Sequence, residues 1–368
     1  MEPEFEIFLA CAPGLEPLLA AEAGGLGFAG VTPQAGGVSL RGGWREVARA
    51  NLELRGAARV LARIGGFPAL HLAQLDKRAR KFPWGEVLRP DMPVRVEVVT
   101  SRRSKIYHAG AAKERIERAI TEELGAPLAD DGVRILARID DNVVTFSVDT
   151  SGEPLHRRGH KQAVGKAPMR ETLAALFLRA CGYDGSGPVL DPMCGSGTFV
   201  IEAAEIAAGL QPGRGRGFDL ERLAVAEAAL DGLRRPAPRQ VPGVVFHGSD
   251  RDQGAVRGAG DNAARAGVQD WCRFACQPVS ALERPEGPPG LVMVNPPYGA
   301  RIGEKGPLAG LHAALGQVLR EKFRGWRVGI VTSEQGLAKA TGLPFQPPGP
   351  HVAHGSLKVR LWQTGPLR

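Results

Sequence analysis

Val189-Leu190-Asp191-Pro192-Met193-Cys194-Gly195-Ser196-Gly197-Thr198-Phe199-Val200-Ile201-Glu202-Ala203-Ala204 is the stretch that decides the fold. Its apolar start reads as a buried strand that stops at Asp191. Gly195 and Gly197 then admit backbone angles and close approaches that a Cβ would block. From Thr198 to Ala208 the residues are apolar or good helix formers. A strand, a glycine turn and a helix follow one another, so backbone N–H groups of the helix start face the carboxyl end of the sheet. Open α/β sheets bind their cofactors there.

Alone, the turn is ambiguous. A dinucleotide fingerprint wants a third glycine where Val200 stands, and no Gly-Lys-Ser/Thr follows for a phosphate loop. A second stretch raises the specificity: Leu291-Val292-Met293-Val294-Asn295-Pro296-Pro297-Tyr298-Gly299 reads as a buried strand capped by Asn-Pro-Pro-Tyr. In this order the two segments resemble the class I S-adenosylmethionine-dependent methyltransferases that act on exocyclic amino groups of nucleobases. The resemblance implies an α/β, Rossmann-like domain with a mostly parallel seven-stranded sheet, and S-adenosylmethionine as cofactor.

At 368 residues the chain has room for two domains, and 43% hydrophobic with 23% charged residues is ordinary globular usage. A net charge of +8 favours a polyanionic partner. Five cysteines fit reduced thiols in the cytoplasm, and Cys272-x-x-x-Cys276 has no second pair to complete a metal site. No signal peptide and no apolar run of roughly 20 residues is present, so neither secretion nor a membrane partner is expected. No metal is expected either.

The amino-terminal part alternates strands and helices in a small α+β pattern. Strands are expected at 5–10 and 37–41, a helix at 15–23, and helices across 44–60. A half-buried strand at 93–99 leads through the basic loop Arg102-Arg103-Ser104-Lys105-Ile106-Tyr107-His108 to an amphipathic helix at 110–124. Strands at 133–139 and 142–148 flank Asp140-Asp141-Asn142, a hairpin turn. Basic residues outnumber acidic ones between Asp76 and Arg118, which clusters positive charge there. The arrangement resembles the ferredoxin-like unit plus THUMP domain of several RNA-modifying enzymes, carried by the 102–108 loop and the helix after it. That implies a ferredoxin-like unit at 1–65, an RNA-binding THUMP domain at 66–155, and a methyltransferase domain at 165–368.

Both motifs have a chemical reason. A carboxylate at a strand end accepts two hydrogen bonds from a ribose diol. Asp250, closing Val244–Asp250, is the candidate, with Asp252 its rival. Asp250 lies 55 positions after Gly195, so an insertion at 209–243 must loop out. Cys276-Gln277-Pro278 stands where an adenine-side acid is common, so adenine contacts are left open. An exocyclic amine is a poor nucleophile because its lone pair is delocalised into the ring. The Asn295 amide oxygen and a backbone carbonyl, accepting its two N–H groups, favour a pyramidal nitrogen. Pro296 and Pro297 fix φ and remove competing donors. Tyr298 offers a flipped base a stacking face worth ~1–3 kcal/mol. Cys194 invites thiolate attack on a cytosine ring, but sits in the glycine turn with no basic activator nearby in sequence.

The resemblance implies cofactor contacts from Asp191, Pro192, Cys194, Gly195, Ser196, Gly197, Thr198 and Asp250. Ala167 and Pro168 join them from a segment that wraps over the cofactor. It implies catalytic roles for Asn295, Pro296, Pro297 and Tyr298, and RNA contacts from Arg102, Arg103, Lys105, His108, Arg158 and Lys161. Across the whole chain the likeness is to bacterial large-subunit ribosomal RNA guanine-N2 methyltransferases, whose relatives often carry an N6-adenine DNA methylase label. The implied partner is RNA, ribosomal ahead of transfer RNA. The rivals are adenine-N6 methylation of RNA or DNA, and a non-catalytic RNA-binding assembly factor.

Overall fold

The computed structural model describes residues 4–162, 168–297 and 305–368. The chain falls into two compact units, one comprising Met1–Cys11, Ala20–Leu155 and Arg216–Arg234, the other Ala12–Leu19, His156–Gly215 and Arg235–Arg368.

The first unit is built on one seven-stranded sheet. In chain order come β1 (Phe5–Ala10), α1 (Glu16–Gly25, shared between the units), β2 (Ala29–Gln34), β3 (Gly37–Gly42), α2 (Trp44–Glu53) and β4 (Arg59–Pro68). Then follow α3 (Leu72–Arg80), β5 (Val94–Thr100), α4 (Ala109–Leu124), β6 (Val133–Asp140) and β7 (Val143–Asp149). The strand order is β2-β3-β1-β4-β7-β6-β5, with only the β5–β6 pair parallel. Alternation dictates the faces: Ile7, Leu9, Leu40, Val60 and Ala62 are buried while the side chains beside them along the strand, Phe8, Ser39, Arg41 and Leu61 among them, are not. Asp141 and Asn142 turn the β6–β7 hairpin with φ of 49° and 61°, the pair of positive φ values that a two-residue hairpin turn requires.

Helix was expected through residue 60, yet the chain is in β4 from Arg59. The apolar spacing that suited a helix belongs to α2 up to Glu53, and Val60 begins a strand face instead. Gly65-Gly66 and a terminal proline hide that strand from propensity. They accompany a register shift between Arg63 and Gly65, as at a bulge. β4 pairs with β1 on one side and β7 on the other. The border anticipated at 65–66 therefore falls inside a strand.

The second unit is a doubly wound sheet. Its elements begin with α5 (Glu171–Ala180), β8 (Val189–Asp191) and α6 (Thr198–Ala207). The chain then visits the first unit, where α7 (Ala226–Leu230) packs beside α2. It returns as β9 (Phe246–Asp250), α8 (Gln253–Ala266), β10 (Cys272–Cys276), β11 (Leu291–Val294) and α9 (Lys305–Lys322). The last elements are β12 (Arg327–Thr332), α10 (Gln335–Ala340), β13 (Val352–His354) and β14 (Leu357–Gln363). The order is β10-β9-β8-β11-β12-β14-β13. β10 through β12 are parallel, and β14 runs antiparallel to both its neighbours. β11 is buried at every position, as a parallel strand covered on both faces must be. A core of Val292, Val294, Leu315, Phe323, Trp326 and Ile330 packs α9 against β11 and β12.

Candidate active site

From β8 the chain winds outward to β9 and β10, then crosses back to β11 and β12 on the other side. The switch point lies between β8 and β11, where open α/β sheets place their ligands. Two strand ends meet there, Asp191 closing β8 and Asn295 following β11. A cavity of about 120 Å3 opens between them, lined by Asp191, Met193, Cys194, Gly195, Ser196, Thr198, Phe199 and Asn295, with Pro168 and Met169 on a further wall. It holds several water volumes.

The glycine turn is held from several directions. Cys194 N–H donates to the Ser249 carbonyl at 2.9 Å, and Gly197 N–H to the Cys194 carbonyl at 2.8 Å. Gly195 N–H donates to Asp250 Oδ2 at 3.0 Å. Gly197, at φ +81°, caps α6, and a Cβ there would stand 3.1 Å from Ala259 Cβ and 3.3 Å from Ile201 Cδ1. Gly195 has φ +50°, and a Cβ on it would meet no atom within 4 Å. Both positions favour glycine for their positive φ; at Gly197 a Cβ would in addition crowd Ala259 and Ile201, whereas at Gly195 it would stand in open space beside the cavity. That opening, bordered by backbone and one acid, suits a cofactor with a cationic amino-acid end.

Asp191 is 2% exposed and its Oδ1 accepts Met193 N–H at 3.0 Å. Burial pushes its carboxyl up to about 8, and the charge of Asp250 adds to that. Asp250 closes β9 next to β8. Its Oδ1 accepts Asp252 N–H at 3.0 Å, so both oxygens stiffen turns while each retains a further lone pair. Asp252 is separately occupied: its Oδ1 accepts from Gly254 and Ala255 N–H at 2.7 and 3.2 Å and caps α8. Burial raises the Cys194 thiol, with Asp191 and Asp250 contributing, which opposes the thiolate that ring attack would need.

Of the expected cofactor residues, Asp191, Cys194, Gly195, Ser196, Thr198 and Pro168 line the cavity, whereas Pro192 and Gly197 are not part of its wall. Asp250 stands one bond behind the wall. Asn295 lines it, with Pro296 and Pro297 following. Tyr298 and Ala167 lie outside the described residues.

Two expected RNA contacts are corrected. Arg158 is buried and pairs with Glu202 of α6 at 3.2 Å, both side chains 1% exposed. Lys161 pairs with Glu171 at 3.3 Å and donates to the Met169 carbonyl at 2.6 Å. Both cations are used inside the unit and are shielded from any polyanion. Arg102, Arg103, Lys105 and His108 are all exposed in the first unit, with the Tyr107 ring tilted against that of His108 at 4.3 Å between centroids. Met169, Met193 and Phe199 were missed as wall residues; their only sequence signal is adjacency to the motif residues.

Among the described residues no cluster of three His, Cys, Asp or Glu side chains could hold a metal ion. No helix among them is long and apolar enough to cross a membrane.

Strand order, switch-point cavity and the two strand-end turns together define a class I methyltransferase fold. The chain belongs to the family described as "RMKL-like, methyltransferase domain", whose model matches residues 158–344; a model of the RlmL ferredoxin-like domain matches residues 6–61. The Ribosomal RNA large subunit methyltransferase K/L of Syntrophotalea carbinolica is 35% identical over 93% of this chain and 51% of its own length. The chain thus spans about half the length of the curated relatives it matches. A protein of Listeria monocytogenes str. 4b F2365, assigned by prediction as an N6-adenine-specific DNA methylase, is 28% identical with a TM-score of 0.85, covering 99% of this chain and 97% of its own. SMU.472, solved in complex with SAH, is 26% identical with a TM-score of 0.84 and covers 100% of both chains.

Proposed function

We propose that the chain is an RNA base N-methyltransferase, moving a methyl group from S-adenosylmethionine to an exocyclic amine, with guanine N2 of ribosomal RNA the first target. The observation that carries this is the single cavity bounded by both the glycine turn and Asn295. The relative solved with SAH, the demethylated product of that cofactor, supports the donor. The large-subunit ribosomal RNA methyltransferase relatives support the acceptor. The reduced state of five unbridged cysteines accords with a cytoplasmic setting.

Bound at this turn, S-adenosylmethionine supplies an electrophilic methyl group. The chain's own residues do the rest. Asp191, on the cavity wall, would hold the ammonium end, whose charge would favour the ionised carboxyl over the neutral one. Asp250 offers its remaining lone pairs to the ribose hydroxyls. Asn295 Oδ1 and the Pro296 carbonyl accept the two N–H groups of the incoming amine, which orients its lone pair toward the cavity. Arg102, Arg103, Lys105 and His108, in a THUMP-type region, hold the RNA through its phosphates. Adenine N6 presents the same NH₂ group. The methylase assignment of the Listeria protein favours that second reading.

Transfer of labelled methyl to ribosomal RNA, transfer RNA and DNA, followed by nucleoside mass spectrometry, separates these readings. N2-methylguanosine in ribosomal RNA is the expected product. Asn295→Ala should lower kcat about 100-fold or more and leave SAH affinity within a few-fold. Label only in DNA adenine would replace the RNA reading, and full activity of Asn295→Ala would remove the site assignment.

A further inference from the structure

Asn262 lies on the buried side of α8, fully enclosed, and is not part of the cavity wall. Its Nδ2 donates to the Ser196 carbonyl at 3.0 Å, inside the glycine turn. Its Oδ1 accepts the backbone N–H of Gln162 at 3.1 Å and a second bond from Arg265 Nη2. Arg265 Nε in turn donates to the His160 carbonyl at 2.8 Å. One amide therefore fastens two segments: the turn itself, and the 160–162 stretch. That stretch is also tied to the cavity, since Lys161 donates to the carbonyl of wall residue Met169.

We propose that Asn262 is a positioning residue for the cofactor turn, setting the Ser196–Gly197 peptide plane and the 160–162 segment together. The chemistry demands an amide. A single side chain must donate to one carbonyl and accept two N–H bonds, which a carboxylate cannot do because it has no donor. The Ser196–Gly197 peptide has its carbonyl on Asn262 and its N–H on Cys194. Both its polar groups are thereby committed, and Ser196 is held in place on the cavity wall. Without Asn262 the buried Ser196 carbonyl loses its donor, and the second half of the turn keeps only the Gly197 N–H bond to Cys194 and the start of α6 to hold it. The inference rests on the reading that this turn holds S-adenosylmethionine.

Calorimetric titration with S-adenosylhomocysteine tests it in the wild type, Asn262→Ala, the near-isosteric Asn262→Asp, and Arg265→Gln, which leaves the Ser196 bond in place. Both Asn262 variants should bind about tenfold more weakly or worse, the size expected when a buried carbonyl loses its donor. Arg265→Gln should stay within about threefold. Amide hydrogen exchange of the ligand-free protein should quicken over 194–199 in the Asn262 variants and not over β11. With RNA substrate, KM for the cofactor should rise while kcat holds. If wild type fails to bind S-adenosylhomocysteine, the cofactor reading falls. If wild type binds and Asn262→Asp binds equally well, or its exchange over 194–199 is unchanged, the positioning role falls alone.

Discussion

Two stretches of this chain read alike and fold oppositely. Arg102–His108 and His156–Lys161 each gather arginine, lysine and histidine within seven residues. In the first, Arg103 meets Asp140 with 69% of its side chain exposed, and Tyr107 is 68% exposed. In the second, Arg158 is enclosed against Glu202, Lys161 against Glu171, and burial drives His156 down to about 4. The difference lies in what each stretch is packed upon. The loop sits above the open end of β5 and the tip of a hairpin, whereas the second stretch lies against α5, α6 and α8, whose buried faces carry Glu171, Glu202 and Asn262. Both stretches find carboxylate partners, and formal charge in a sequence becomes surface charge only where the pair is left in water rather than enclosed.

The largest test of that contrast is Arg158→Ala. Removing one partner of a buried ion pair leaves the other uncompensated, and should cost about 3–5 kcal/mol in urea unfolding. Arg158→Met combined with Glu202→Leu should recover most of that loss, because apolar replacement of both partners removes the orphaned charge. A single-variant loss under about 1 kcal/mol would put Arg158 in the same class as the exposed loop.

The same physics sets what the sequence could disclose. The strand–turn–helix around Gly195 and the apolar run into Asn295 are local signals, and their meeting at the switch point follows from the pairing of β8 with β11. Asp250 was legible as a strand-end acid despite its distance from the turn, because the intervening segment departs to the first unit at Arg216–Arg234. β4 was not legible: Gly65, Gly66 and Pro68 carry no strand propensity, and its place is fixed by pairing with β1 and β7 across long separations. The burial of Arg158 and Lys161 was likewise invisible, since their carboxylates stand 44 and 10 positions away on other elements. Asn262 looked like any polar residue on an amphipathic helix. Only the approach of α8 to the turn gives its amide a task.

Asp191 sharpens the comparison from the other side, as a buried acid whose largest influence is burial itself. With its carboxyl raised to about 8, the folded chain keeps a proton that the unfolded chain releases near pH 4. Stability therefore falls as pH rises from about 4 to about 8, and this contribution levels off above that. Asp191→Asn keeps an oxygen for Met193 N–H and has nothing to ionise. Relative to wild type it should gain about 1–3 kcal/mol between pH 6 and pH 8, read from denaturant midpoints. A gap that is flat with pH would mean Asp191 is ionised in the folded protein.

The smallest effect on stability belongs to the exposed loop. Arg102→Ala, Arg103→Ala and Lys105→Ala together should move the unfolding free energy by no more than about 0.5 kcal/mol for each change, since exposed pairs such as Arg103–Asp140 are screened by water and salt. Their effect should surface in RNA binding instead. Three cations lost from a single-stranded contact lower the slope of log affinity against log salt by roughly 2, with affinity falling at low salt and converging on wild type at high salt. An unchanged slope would show that exposure alone does not make this loop an RNA contact. The two basic stretches would then differ in where their charge is kept, and neither would meet the polyanion.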